Sequence, residues 1–122
     1  MEKVTGIGGV FFKARDPQAM AEWYRQHLGI ASQEGYADFE WRDLQGREGH
    51  TVWALFPADS DKFGSPGASS MINYRVADLT GLLEELRQAG VTIEKSEDSD
   101  FGRFAWITDP EGNRIELWEP KD

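Results

Sequence analysis

Asp109-Pro110-Glu111-Gly112-Asn113-Arg114-Ile115-Glu116-Leu117-Trp118 is the stretch whose reading decides the fold. Its first half is turn chemistry: Asp109 can accept from the backbone ahead of it, Pro110 presets φ, and Gly112 with Asn113 tolerate positive φ. Its second half alternates, with Ile115 and Leu117 on one side and Arg114, Glu116 and Trp118 on the other. Phe104-Ala105-Trp106-Ile107-Thr108 alternates just before the turn, so the two runs read as a β-hairpin. The second face mixes Trp106 and Trp118 with Glu116. Large aromatics beside a carboxylate point to a lined cavity, not to a plainly solvated face.

Composition bounds what that cavity can serve. A chain of 122 residues with 39% hydrophobic residues, five Trp, seven Phe and three Tyr reads as one globular domain. A formal charge of −9 argues against nucleic acid and against anionic membrane surfaces as partners. The absence of cysteine excludes disulfides, thiolate nucleophiles and sulfur metal sites. Met1-Glu2-Lys3-Val4 shows no apolar leader and no run approaches a membrane span, so a soluble cytoplasmic protein is expected.

Working outward, the chain divides into similar halves. Val4 to Ala14 reads as a strand, Asp16-Pro17 as the start of a helix, and Gly29 as its end. Met20, Trp23, Tyr24 and Leu28 form the apolar stripe of that helix. Short strands are expected around Ile30 to Gln33, Tyr36 to Arg42 and Thr51 to Phe56, with Asp43 to Gly46 as a turn. Residues 58–70 read as a linker that carries little core. Then Met71 to Val76 is a strand, Asp78 caps a helix to about Ala89, and Gly90 closes it. Strands follow near Val91 to Glu94, Phe104 to Thr108 and Arg114 to Glu119. The acidic run from Glu94 to Asp100 reads as a solvated loop without the ligand order of a calcium site.

Landmarks recur in order. Phe12-Lys13-Ala14-Arg15-Asp16 matches Tyr74-Arg75-Val76-Ala77-Asp78 at an offset of 62, Gly29 matches Gly90 at 61, and Asp43 with Gly46 matches Asp109 with Gly112 at 66. The regularity indicates an internal duplication of a β-α-β-β-β module. Modules of this size are marginal alone, so the halves share a core or pair with another chain.

With two such modules and the closing Asp-Pro-Glu-Gly-Asn-Arg-Ile-Glu-Leu, the sequence resembles the vicinal oxygen chelate superfamily from about Gly6 to Glu119. That group includes glyoxalase I, extradiol dioxygenases, methylmalonyl-CoA epimerases and bleomycin-resistance proteins. The resemblance implies an α+β fold: two tandem βαβββ modules, about 4–57 and 71–119, forming a curved mixed sheet around a cleft. It also implies that metal-dependent members take one ligand from each of four inward-facing strand positions, which fall here on Gly9, Ala54, Met71 and Glu116. Only Glu116 is a ligand of the usual kind, and one carboxylate does not make a metal site. No metal or other cofactor is expected.

Alternation puts Phe11, Lys13, Ala54, Met71, Asn73, Arg75, Trp106, Glu116 and Trp118 on the cleft side. Glu116 has two readings: a fold-positioned carboxylate hydrogen-bonded to a nearby Arg or Lys, or a group that binds a cation or acts as a base. Lys13 and Arg75, at corresponding places in the repeat, are rim charges or anchors for an anionic group. Trp106, Trp118 and Phe11 are packing residues or a platform for a planar ligand, and Asn73 is a candidate hydrogen-bond donor. His50 shares the parity of Ala54 and is the candidate general base of suitable pKa. Two functions remain open: a homodimeric protein binding a small aromatic or charged molecule, and a metal-independent lyase or isomerase using Glu116 with His50. A divergent metal-dependent glyoxalase or dioxygenase, and an accessory module with no ligand of its own, are the further alternatives.

Overall fold

The computed structural model describes residues 4–121; Met1–Lys3, in the stretch read above as lacking a leader, and Asp122 lie outside the described residues. The elements run β1 (Val4–Ala14), α1 (Pro17–Leu28), β2 (Tyr36–Arg42), β3 (Glu48–Pro57), β4 (Ser70–Val76), α2 (Leu79–Gln88), β5 (Lys95–Ser99), β6 (Gly102–Thr108) and β7 (Arg114–Pro120). Pairing is mixed: β1 with β3 and β4 with β7 are parallel, and the β2–β3, β5–β6 and β6–β7 pairs are antiparallel. This is the α+β class that the sequence implies. The chain forms two compact units, one of residues 9–70 and one of residues 4–8 with the segment from Met71 onward.

In the first unit the strand order is β2-β3-β1, with residues 9–14 of β1. Helix α1 starts where Asp16 accepts from Ala19 N at 3.1 Å and ends at Gly29, whose φ is 73°. Its Tyr24 lies 6.0 Å from Phe12 and 5.0 Å from Trp53, so α1 covers the sheet face that carries those two side chains. The covering is thin. No residue of α1 is buried, and Trp23 and Leu28 of the expected stripe are 51% and 61% exposed.

The opposite face of the same sheet carries Phe11, Ala54 and Phe56. The linker closes on it. Phe63 is 1% exposed and lies 5.2 Å from the ring of Phe56, which is 5.5 Å from Phe11. The expectation that 58–70 carries little core is therefore corrected: its turns deliver one large anchor, and a buried Phe contributes on the order of 2–3 kcal/mol.

The expected strand at Ile30 to Gln33 is also corrected. Glu34 and Gly35 both have positive φ, 53° and 84°, which turns the chain back at once. Gln33 and Tyr36 exchange N–H···O bonds of 2.8 and 3.0 Å and make only an isolated bridge. The first half is β-α-β-β, one strand short of its counterpart.

In the second unit the order is β1-β4-β7-β6-β5, with residues 4–8 of β1. Here the helix is well seated. Leu79, Leu82 and Leu83 of α2 are buried against Val76, Ala105 and Leu117. Asp78 accepts from Gly81 N at 3.1 Å, and Glu119 of β7 accepts from Leu79 N at 2.7 Å, fastening the first turn of the helix to the sheet. The strand expected at Val91 to Glu94 is absent; it forms one step later, as β5, within the run read as a solvated loop. Pairing starts where Glu94 N donates to Trp106 O at 2.9 Å, and Lys95 stands opposite Trp106. As the last strand in the order, β5 has no apolar face to bury, so polar Lys-Ser-Glu-Asp-Ser fits an edge and conceals the strand from a hydrophobic pattern.

The hairpin turns of the two halves match at atomic detail. Asp43 accepts from Gln45 N and Arg47 N, both at 2.9 Å; Asp109 accepts from Glu111 N at 3.0 Å and Asn113 N at 2.9 Å. Gly46 and Gly112 follow with φ of 80° and 90°. The same Asx turn closes the hairpin of each half.

Candidate functional site

The register of the second unit sorts its residues by face. Tyr74 pairs with Leu117 and Leu117 with Ala105, giving the row under α2. The next row, Asn73–Glu116–Trp106–Lys95, points to the other side, as does Arg75–Trp118–Phe104–Glu97. The opening hairpin thus presents the mixed face that its alternation predicts.

At the centre of that face Asn73 and Glu116 are 2% and 9% exposed. Asn73 Nδ2 donates to Glu116 Oε1 at 2.6 Å, and Trp106 Nε1 donates to Oε2 at 2.9 Å. Each carboxylate oxygen therefore receives a neutral donor, a pairing absent from the sequence reading of Glu116. Asn73, expected as a donor at this site, donates to the protein's own carboxylate. Its Oδ1 is buried and has no hydrogen-bond partner among the described residues. Space for the amide comes from Gly8, where a Cβ would lie 2.2 Å from Asn73 Oδ1 and 2.9 Å from Trp118 Cε3.

Aromatic rings flank the carboxylate. Phe104 lies 6.1 Å from both Trp106 and Trp118 with interplanar angles of 15° and 9°. Lys95 Nζ and Arg114 Cζ lie 5.5 and 5.9 Å from the Trp106 ring centre. Phe104, Lys95 and Arg114 were not among the expected site residues. Phe104 was legible, being two positions from Trp106 in an alternating strand, whereas Lys95 required the register of β5. Arg75 donates from Nε to Thr5 Oγ1 at 3.1 Å, and Met71 is buried on the same strand.

The remaining candidates belong to the first unit. Phe11 and Ala54 are partners across β1 and β3 and are 8% and 0% exposed, among the buried hydrophobic residues. Lys13 Nζ lies 3.5 Å from Pro66 O and 5.4 Å from the Phe63 ring centre, engaged with the 58–70 segment. His50 Nδ1 lies 3.1 Å from the Asp38 carboxylate, one step diagonally across β2 and β3, with Glu40 directly opposite. Nδ1–H donating to a carboxylate leaves Nε2 as the acceptor nitrogen, the arrangement of an oriented imidazole base. Asp38 was missed because only the strand register brings it to His50.

A family model extends over residues 6–117, nearly the whole chain, and describes the Glyoxalase/Bleomycin resistance protein/Dioxygenase superfamily. The chain belongs to this superfamily. Solved structures of the fold agree. Methylmalonyl-CoA epimerase of Streptomyces coelicolor, in complex with 2-nitronate-propionyl-CoA, is 19% identical with a TM-score of 0.69 over 98% of this chain and 99% of that one. The epimerase of Mycobacterium tuberculosis is 23% identical with a TM-score of 0.61 over 98% and 90%. A superfamily member from Vibrio splendidus 12B01 is 11% identical with a TM-score of 0.59 over 90% and 95%. At these identities the likeness concerns the fold. No curated protein matches the sequence.

The four positions that the resemblance assigns to metal ligands carry side chains that do not suit a metal. At Gly9 a Cβ would lie 2.8 Å from the Phe11 ring, so Phe11 fills the space of a ligand side chain. Ala54 offers a methyl group and Met71 a thioether, while both oxygens of Glu116 already accept hydrogen bonds. Among the described residues no group of three or more His, Cys, Asp or Glu is placed to hold a metal ion. Among those residues, too, no helix is long and apolar enough to cross a membrane.

Proposed function

We propose that this superfamily member binds a small planar molecule bearing a cationic or N–H-rich group, on the face around Glu116. The observation that carries this reading is the concentration of acceptors there: a buried carboxylate beside an Asn73 amide oxygen that has no donor among the described residues. Buried acceptors favour a ligand that brings donors. Phe104, Trp106 and Trp118 supply flat apolar surface next to them, suited to stacking and to cation–π contact.

Trp fluorescence tests the reading, because the indole N–H of Trp106 is bonded to the carboxylate in question. Titration with a panel of planar aromatic cations and neutral isosteres should give saturable quenching by cations. Glu116→Gln should weaken it about tenfold or more, the scale of a lost charge-assisted hydrogen bond. Equal affinity for the neutral isosteres, or indifference to Glu116→Gln, overturns the reading.

A second reading is a metal-independent lyase or isomerase, and the His50–Asp38 pair is what favours it. Under that reading a compound bound by the wild type is also converted. His50→Gln and Asp38→Asn then lower kcat with little change in KM, whereas a pure binding protein yields no product with any variant. A homodimer accompanies both readings, since marginal modules are steadied by association; sedimentation equilibrium at micromolar concentration checks it.

A further inference from the structure

The second unit has a concavity on the side of its sheet away from Glu116. Ser96 and Asp98 of β5 pair with Ala105 and Arg103 of β6, the parity that faces α2, whereas Lys95 and Trp106 face the other way. Between β5–β6 and α2 lies a pocket of about 430 Å³, open solvent at its mouth included. Leu79 and Leu83, one helical turn apart and both buried, form its apolar floor. Thr80, Arg87, Ser96 and Arg103 bring hydroxyls and guanidiniums to its wall.

Two guanidiniums converging on one pocket stand out in a chain whose formal charge is −9. Arg103 donates through Nη1 to Thr80 Oγ1 and lies 3.4 Å from Asp98 Oδ1 through Nε, which holds its planar fork between helix and strand. Arg87 stands two turns along α2 from Thr80 and reaches Glu84 at 3.9 Å, the outer limit of an ion pair. Both pairs are solvent-exposed, the acids at 79% and 62%, and such pairs hold weakly. Each guanidinium has about five N–H donors, more than these contacts use. Fork geometry, adjacent hydroxyls and an apolar floor together match an oxyanion attached to a short apolar body.

We infer that this pocket is a second ligand site, which takes a small organic oxyanion between Arg87 and Arg103, with the ligand's apolar part on Leu79 and Leu83. The carboxylate of Asp98 lines the same space and sets a preference for compact, strongly accepting groups that can displace it from the Arg103 guanidinium.

The test is an amide NMR titration of the ¹⁵N-labelled full chain at fixed ionic strength. The probes are phenyl phosphate, benzoate, inorganic phosphate and, as a cationic control, benzylammonium. Saturable shifts are expected at Thr80, Ser96 and Arg103, with phenyl phosphate tighter than inorganic phosphate because only the former reaches the leucine floor. The comparison with benzoate decides whether the site takes a phosphoryl or a carboxylate group. Arg87→Gln removes an exposed side chain outside the buried core and should weaken phenyl phosphate about tenfold. Arg103→Gln should act in the same direction. Shifts that do not saturate, that benzylammonium reproduces, or that persist unchanged in Arg87→Gln overturn the proposal.

Discussion

Asn73 and Glu116 stand side by side on the parallel strands β4 and β7, and the amide of the first donates to the carboxylate of the second at 2.6 Å. The contact is buried, so each group depends on the other for solvation. Asn73→Leu, close in volume, leaves Glu116 Oε1 without that donor. Loss of about 1–3 kcal/mol is expected in urea unfolding. The double variant Asn73→Leu with Glu116→Leu should recover part of it, since removing both partners of a buried pair costs less than removing one. No recovery in the double variant would mean that the pair does not act as a unit.

Gly8 tests how Asn73 is held. A methyl group there would lie 2.2 Å from Asn73 Oδ1 and 2.9 Å from Trp118, so Gly8→Ala must displace one or both. Destabilisation of about 1–3 kcal/mol is expected, with a change in Trp emission as Trp118 moves. Gly67→Ala is the control. A Cβ there meets nothing within 4 Å, and stability should stay within about 0.5 kcal/mol of wild type.

Phe63 tests the role of the 58–70 segment. The side chain is 1% exposed and packs on Phe56 beneath the Lys13 ammonium. Phe63→Ala should lower stability by about 3–5 kcal/mol, as for other large core aromatics, and hydrogen exchange should accelerate throughout the segment. Pro66→Ala, which retains the backbone carbonyl that meets Lys13, should be milder. A Phe63→Ala variant as stable as wild type would return the segment to the status of a simple linker.

The two Asx turns predict an acid response. The Asn113 side-chain amide, then the N–H groups of Asn113, Glu111 and Gly112, hold the Asp109 carboxyl below its ordinary value of 3.8. Asp43 is lowered likewise, chiefly by the backbone N–H of Arg47 and then by its guanidinium. A depressed carboxylate contributes stability that is present above the unfolded value and is lost as pH falls through the folded one. The turns should therefore weaken at and below about pH 3.8. Asp109→Asn should flatten the dependence of the urea midpoint on pH in that window while leaving its slope near neutrality unchanged. Carboxyl ¹³C NMR of the wild type reads the titration of Asp109 directly, and an Asp109 that titrates at its ordinary value would contradict the argument.

Much of this was legible in the chain itself, for local reasons. Asp16 and Asp78 cap their helices, Gly29 and Gly90 end them, and Asp43 and Asp109 close their hairpins through bonds that span four residues or fewer, so spacing alone reveals them. The hairpin of β6 and β7 alternates strongly because one of its faces lies under α2. Where the pattern misled, burial was absent or distant. β5 has polar residues on both sides because it is an edge, Ile30 to Gln33 yields to a tight turn at Glu34 and Gly35, and Phe63 finds its pocket only when 58–70 folds back on β3.

By itself the sequence determined the paired helix caps and hairpin turns, the face on which Glu116 stands, and the side-chain types at Gly9, Ala54 and Met71, because side-chain chemistry and two-residue alternation are local properties. Tertiary structure decided what Glu116 touches. The register of β4, β7 and β6 sets Asn73 and Trp106 on either side of its carboxylate, and cross-strand register follows from turns and buried faces elsewhere in the chain. The same holds for His50 with Asp38, and for Arg87 with Arg103, residues far apart in sequence or on different elements. Such neighbours are set by packing, which no single segment encodes.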